Sequence, residues 1–300
     1  MMYSLLNKKS STARWCSALI MFVIAAGAAV IVLLYGSAIW DRLGSGGELP
    51  PFFSWDETDE SSQEDFKSWR ANGKGLKLTV VNAMTPDWYE YFDEAVADWN
   101  AAPALSLTVE MAAEPDPDCM YIIGKLKACN DEYGMTGWSG LNEAWLDSRG
   151  TITASTSKMN ESYLRGKQYA EKLYVTCHEL GHGYGLPHRD TNANNIDLGT
   201  CLDYTTMYKN NMRPDDIDFM NLETLYGTTK GKNRQLSLDH NPSLRGKDSN
   251  ILGLHSFPKE PRHLDSYKNG RLLFKSNHKE IYEETFGDGS KVVTTLLLAQ

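Results

Sequence analysis

Seven histidines occur in the 300 residues, and three of them fall within one short stretch, VTCHELGHGYGLPHRD, from Val175 to Asp190. On a helix, His178 and His182 stand at i and i+4, so their imidazoles lie one above the other on the same face. Two ring nitrogens then come within reach of one cation. Gly185 can take positive φ and end the helix, and Pro187 cannot continue it, so the chain can turn and carry His188 back towards the other two. Three neutral imidazoles form a tripod that leaves the fourth position of a zinc ion open, which is the catalytic rather than the structural pattern. Glu179, next to His178, points to the flank of such an ion. From there it can take a proton from an activated water and pass it to a leaving amine. The plain alternative is a histidine-rich helix end without a metal. Gly181 and Gly183 each cost a helix up to about 1 kcal/mol relative to alanine, so close packing against a strand layer is expected at this segment.

HELGHGYGLPH matches the metzincin zinc-protease signature H-E-x-x-H-x-x-G-x-x-H at every fixed position, and the chain resembles that family. The resemblance implies an α+β domain in which a twisted mixed β-sheet packs on the active-site helix. It also implies one zinc ion held by His178, His182 and His188, and Glu179 as the acid–base group. A methionine-containing turn is expected beneath the metal. Thr200-Cys201-Leu202-Asp203-Tyr204 fits that turn's register but has Leu202 where methionine belongs, and Met207-Tyr208 is the alternative register. In the first register Tyr204 takes the place of the tyrosine that stabilises the reaction intermediate in some metzincins. RPDDIDFMNLETLYG is similar to the last helix of matrixin catalytic domains, so the resemblance covers residues 76–227. No P-R-C-G-x-P-D segment precedes it.

Outside the N-terminal apolar stretch, the cysteines are Cys119, Cys129, Cys177 and Cys201, an even number that suits two disulfides in an oxidising compartment. Three pairings are possible, and the most local one joins Cys119 to Cys129 and Cys177 to Cys201. The second bond would tie the active-site helix to the turn at Leu202, a better reading of Cys177 than a nucleophile. Asn160-Glu161-Ser162 is one glycosylation sequon. Asp190 to Asn194 begins like a calcium-binding EF-hand loop. However, Asn195 replaces the required glycine and Cys201 stands where the bidentate glutamate belongs, so an Asx-rich turn is expected, with a Ca2+ site as the alternative. The other four histidines, His240, His255, His263 and His278, lie in the C-terminal tail at irregular spacing and read as solvated.

The elements that must position this chemistry begin near Leu76. LKLTVVNA alternates like a strand. Thr85-Pro86-Asp87 starts a helix with Trp88, Phe92, Val96 and Trp99 on one face. LSLTVEM then returns to a strand, which together makes a βαβ unit with parallel strands. Residues 112–135 read as a loop carrying the first cysteine pair. TGWSGLNEAWLD and GTITASTSKMN read as two strands around Ser148-Arg149-Gly150. In the metzincin fold a substrate lies along an antiparallel edge strand, and TGWSGLNEAWL is the candidate for that edge. A long helix spans about Gly166 to Tyr184, and another runs from Pro214-Asp215-Asp216 to Tyr226.

The flanks set the organisation. From Trp15 to Trp40 no residue is charged, and 26 residues cross a bilayer core of roughly 30 Å. Lys8, Lys9 and Arg14 precede this stretch, which places residues 1–14 in the cytosol and the rest of the chain outside or in a lumen. The alternative is a cleaved signal peptide and a secreted chain. Residues 41–75 read as a flexible acidic linker, 76–227 as the peptidase domain, and 228–300 as a basic tail ending in a hairpin at Gly287-Asp288-Gly289. The formal charge of −9 excludes nucleic acid as a general partner. The expected function is a membrane-tethered or secreted zinc endopeptidase that cuts a protein or peptide through a zinc-activated water. The rivals are a non-catalytic, zinc-stabilised ectodomain for adhesion and a zinc hydrolase of non-peptide substrates.

Overall fold

A computed structural model describes residues 66–190, 196–227 and 266–300. Leu76–Asn82 (β2) alternates between buried and exposed positions before both its faces are covered. The helix Tyr89–Asn100 (α1) buries Phe92, Ala95, Val96 and Trp99 and returns the chain to Leu105–Met111 (β3). β3 pairs with β2 in parallel from Leu76↔Leu105 to Asn82↔Met111, so the βαβ unit forms as its periodicity implies. The segment 112–135 is not all loop, because Lys125–Asp131 (β4) forms a buried strand parallel to β2. Its short apolar content hid it, since KLKACND becomes a strand only when slotted between β2 and Thr151–Asn160 (β6).

Trp138–Leu146 (β5) runs antiparallel to β6, as the turn between them requires. A short helix, Glu161–Leu164 (α2), and the long helix Tyr169–Gly183 (α3) follow. α3 packs against α1 on one side and against β5 and β6 on the other, and is buried almost throughout from Leu173 to Gly183. Its glycines answer to that packing: a Cβ on Gly181 would stand 2.8 Å from both Leu202 Cδ2 and Trp99 Cζ2. Asp216–Tyr226 (α4) closes this part with a capping box between Asp215 and Asp218.

The linker expected to end at residue 75 ends earlier. Ser68–Trp69 (β1) pairs in parallel with β6, the Lys67 amide bonds to Gly185 O at 3.1 Å, and the Trp69 indole bonds to Gly183 O at 2.9 Å. The C-terminal part is likewise no separate tail. Arg271–Lys275 (β7), Lys279–Thr285 (β8) and Lys291–Leu298 (β9) form an antiparallel meander whose last strand joins β5. The β8–β9 turn falls at Gly287-Asp288-Gly289, as expected. The sheet order is β3-β2-β4-β6-β5-β9-β8-β7, with β1 beside β6. It is a mixed α+β sheet, parallel at one end and antiparallel at the other.

The strand TGWSGLNEAWL is therefore not an edge. β5 is paired on both sides and every residue of it is buried. Among the described residues no helix is long and apolar enough to cross a membrane. The expected span at 15–40, the cytosolic segment 1–14 and most of the linker lie outside the described residues.

Candidate metal centre and active site

α3 places His178 and His182 one turn apart, and the turn after it completes the set. Gly185 has φ +97°, a conformation that side chains disfavour, and its amide bonds back to His182 O at 2.9 Å. The Leu186 amide reaches Gly181 O at 3.2 Å, closing the helix end. His188 Nε2 then lies 2.9 Å from His178 Nε2 and 3.1 Å from His182 Nε2. The three histidines form the one cluster of potential metal ligands among the described residues.

The outer ring nitrogens decide the tautomers. His178 Nδ1 stands 2.6 Å from Cys201 O, and His182 Nδ1 stands 2.9 Å from Leu186 O. A carbonyl can only accept, so each Nδ1 carries the proton and each Nε2 turns a lone pair to the centre. Converging lone pairs repel unless a cation or proton lies between them, and carbonyl-oriented imidazoles are the usual outer shell of a metal site. Three convergent neutral nitrogen donors are a set that would hold a borderline divalent cation such as zinc.

The loop that supplies Cys201 O is held from several sides. Disulfides join Cys177 to Cys201 and Cys119 to Cys129. Tyr174 donates to Asp203 O at 2.7 Å, and the Arg189 amide donates to Leu202 O at 3.0 Å. The Arg189 guanidinium reaches Asp215 at 2.7 Å and the buried Asp218 at 3.0 Å. Asp218 also accepts from Thr200. Burial pushes the Asp218 carboxyl up, against the bonds from Thr200, the Asp215 amide and Arg189. Leu202 is fully buried against α3 at Gly181, while Met207 is 55% exposed, so Leu202 is the residue beneath the ligand helix. Tyr204 stacks on His188 with ring centroids 4.7 Å apart, and its hydroxyl is 3.4 Å from His278 O.

Glu179 is fully buried, and burial pushes its carboxyl well above the usual carboxylate range. Neither carboxylate oxygen has a hydrogen-bond partner among the described residues. Its side chain lies over the backbone of Gly140, where a Cβ would stand 2.8 Å from the carboxyl carbon.

Two expectations fail here. Asn160 cannot carry a glycan, because it is fully buried and its amide donates to Gly134 O, Thr136 Oγ1 and Trp138 O. It caps α2 instead, accepting from the Ser162 amide. His278 is not a remote solvated residue either, since the meander brings it to Tyr204. For the calcium loop, residues 191–195 lie outside the described residues, and Cys201 is in a disulfide, which removes it as a ligand.

Sequence reasoning missed Gly140 and Asn142. The Asn142 amide bonds to Ser155 Oγ, Thr156 O, Ser157 Oγ and Glu179 O at 3.0–3.3 Å, locking β5 onto α3. Ser157 Oγ adds a bond to Glu179 O at 2.9 Å. The available signal was compositional: glycine and asparagine are depleted in strands and stand together in WSGLNEAWL. No protein-family model matches the chain, and no curated protein is significantly similar to it.

Proposed function

We propose that the chain is a zinc endopeptidase of the metzincin type, tethered to or released from a membrane through residues 15–40 with residues 41–300 on the non-cytosolic side. The convergence of three Nε2 atoms, two of them backed by carbonyls, carries this reading, with Glu179 one residue along the helix. The fully matched motif and two disulfides support it. When bound, zinc supplies a Lewis acid that polarises a carbonyl and lowers the pKa of water towards neutrality. His178, His182 and His188 hold and orient it. Glu179 accepts a proton at its carboxylate and delivers it to the departing amine. Tyr204, stacked on His188, would offer its hydroxyl as a hydrogen-bond donor to a developing oxyanion.

The burial of the tripod favours a second reading, a zinc-stabilised ectodomain without catalysis. Glu179→Gln, compared with the unsubstituted chain after β9 has been released from β5, separates the two. The peptidase keeps stoichiometric zinc and loses cleavage of a diverse peptide library, as it also does on chelation. In the second reading no cleavage is there to lose.

A further inference from the structure

Two of the three imidazoles and the carboxylate of Glu179 are closed off from open solvent, while His188 is partly exposed. His178 and Glu179 are fully buried and His182 is 5% exposed. β9 runs beside this centre, with Val293 and Thr295 at His182. It pairs antiparallel with β5 from Trp138↔Leu298 to Leu146↔Lys291, using the backbone donors and acceptors that strand addition by an extended peptide would use.

The register shows which side chains enter the cleft. Gly140, Asn142 and Ala144 face α3: Gly140 lies under the Glu179 carboxylate, Asn142 bonds to Glu179 O, and Ala144 belongs to the main core. Their partners are Leu297, Thr295 and Val293. Val293 and Thr295 share a small cavity with His182, whereas Leu297 and Leu298 line a cleft with Tyr174, Val175, Tyr204 and His278. β9 thus runs along β5 from the neighbourhood of His182 to that of Tyr204. Its far end is fastened there, because the Leu298 amide bonds to His278 O at 2.8 Å and the Ala299 amide to Gly137 O at 2.9 Å.

We propose that β9 is a built-in occupant of the peptide-binding edge of β5, so that the chain is latent until β9 leaves. The segment KVVTTLLL also reports what the cleft takes: an extended peptide antiparallel to β5, with β-branched or leucine side chains at the alternate positions that face α3. This inference rests on the peptidase reading, because it treats β5 as the substrate strand.

The test uses the full chain, zinc-loaded, with a site-specific protease sequence inserted between Asp288 and Gly289. A fluorescent peptide of residues 291–300 is added before and after cutting and removal of the freed strand. The expected result is no peptide binding and little library cleavage by the uncut chain. After cutting, the expected result is saturable binding, at least tenfold faster cleavage, and suppression of that cleavage by the 291–300 peptide. Equal turnover before and after cutting overturns this proposal while leaving the peptidase reading intact. Peptide binding without turnover shows that β9 occupies a peptide-binding edge, and overturns the peptidase reading and with it the latency. If the cut chain loses its fold, hydrogen exchange on full-length Thr295→Pro decides. Selective loss of protection at β5 amides with β6 unchanged supports a removable strand, and uniform loss across the sheet overturns it.

Discussion

Gly140 lies directly under the carboxylate of Glu179, with no space between them for a side chain. A strand approaches the Glu179 carboxylate this closely only if it carries hydrogen in place of Cβ.

Gly140→Ala should therefore displace Glu179 while leaving the ligands in place. The expected outcome is at least a 100-fold loss of kcat in the β9-released chain with zinc stoichiometry unchanged, at a stability cost of about 1–3 kcal/mol from overpacking. Metal analysis and kinetics on one preparation check it.

The Cys177–Cys201 bond links the residue before the first ligand to the carbonyl that orients that ligand's ring. Replacing both cysteines by serine should lower stability by about 3 kcal/mol, the scale for closing a loop of this length. It should also weaken zinc binding by roughly 10–100-fold, because His178 loses a fixed partner at Nδ1. Chemical denaturation and competition with a chelator measure the two effects. The Cys119–Cys129 bond lies in another part of the fold, and its removal should leave zinc affinity unchanged.

Asp203 is buried in the loop beneath the ligand helix, and burial pushes its carboxyl up to about 6, against bonds from the Leu198 and Tyr204 amides. Its folded pKa exceeds its unfolded value of about 3.9, so the fold binds its proton more tightly than the unfolded chain does. The stability it contributes is fully present below about pH 4 and is lost as pH rises through about 6. Asp203→Asn should remove that decline. The melting temperatures of the two proteins should draw apart between pH 4 and 6 in favour of the variant, and parallel curves would refute the assignment.

Much of the centre was legible because its geometry is local. His178 and His182 are related by one helical turn, and His188 follows from a single glycine turn six residues later, so residue types and spacing suffice. The βαβ unit was legible for the same reason, since its periods of 2 and 3.6 are properties of short segments. β4 was not, because KLKACND has neither clean alternation nor a long apolar run, and burial between two neighbours supplies what the pattern lacks. Asn160 misled because a sequon describes three adjacent residues, whereas its amide is consumed by Gly134, Thr136 and Trp138.

By itself the sequence determined the three clustered histidines, the neighbouring glutamate, the turn that returns His188, and the β8–β9 hairpin. Each depends on residues within about one or two turns of one another. Only the tertiary structure decided that Cys201 O orients His178, that Leu202 rather than Met207 lies beneath the helix, and that β9 fills the edge of β5. Those contacts join segments far apart in the chain. Backbone pairing in particular uses groups that nearly every residue possesses, so no residue pattern announces which strand a free edge will accept.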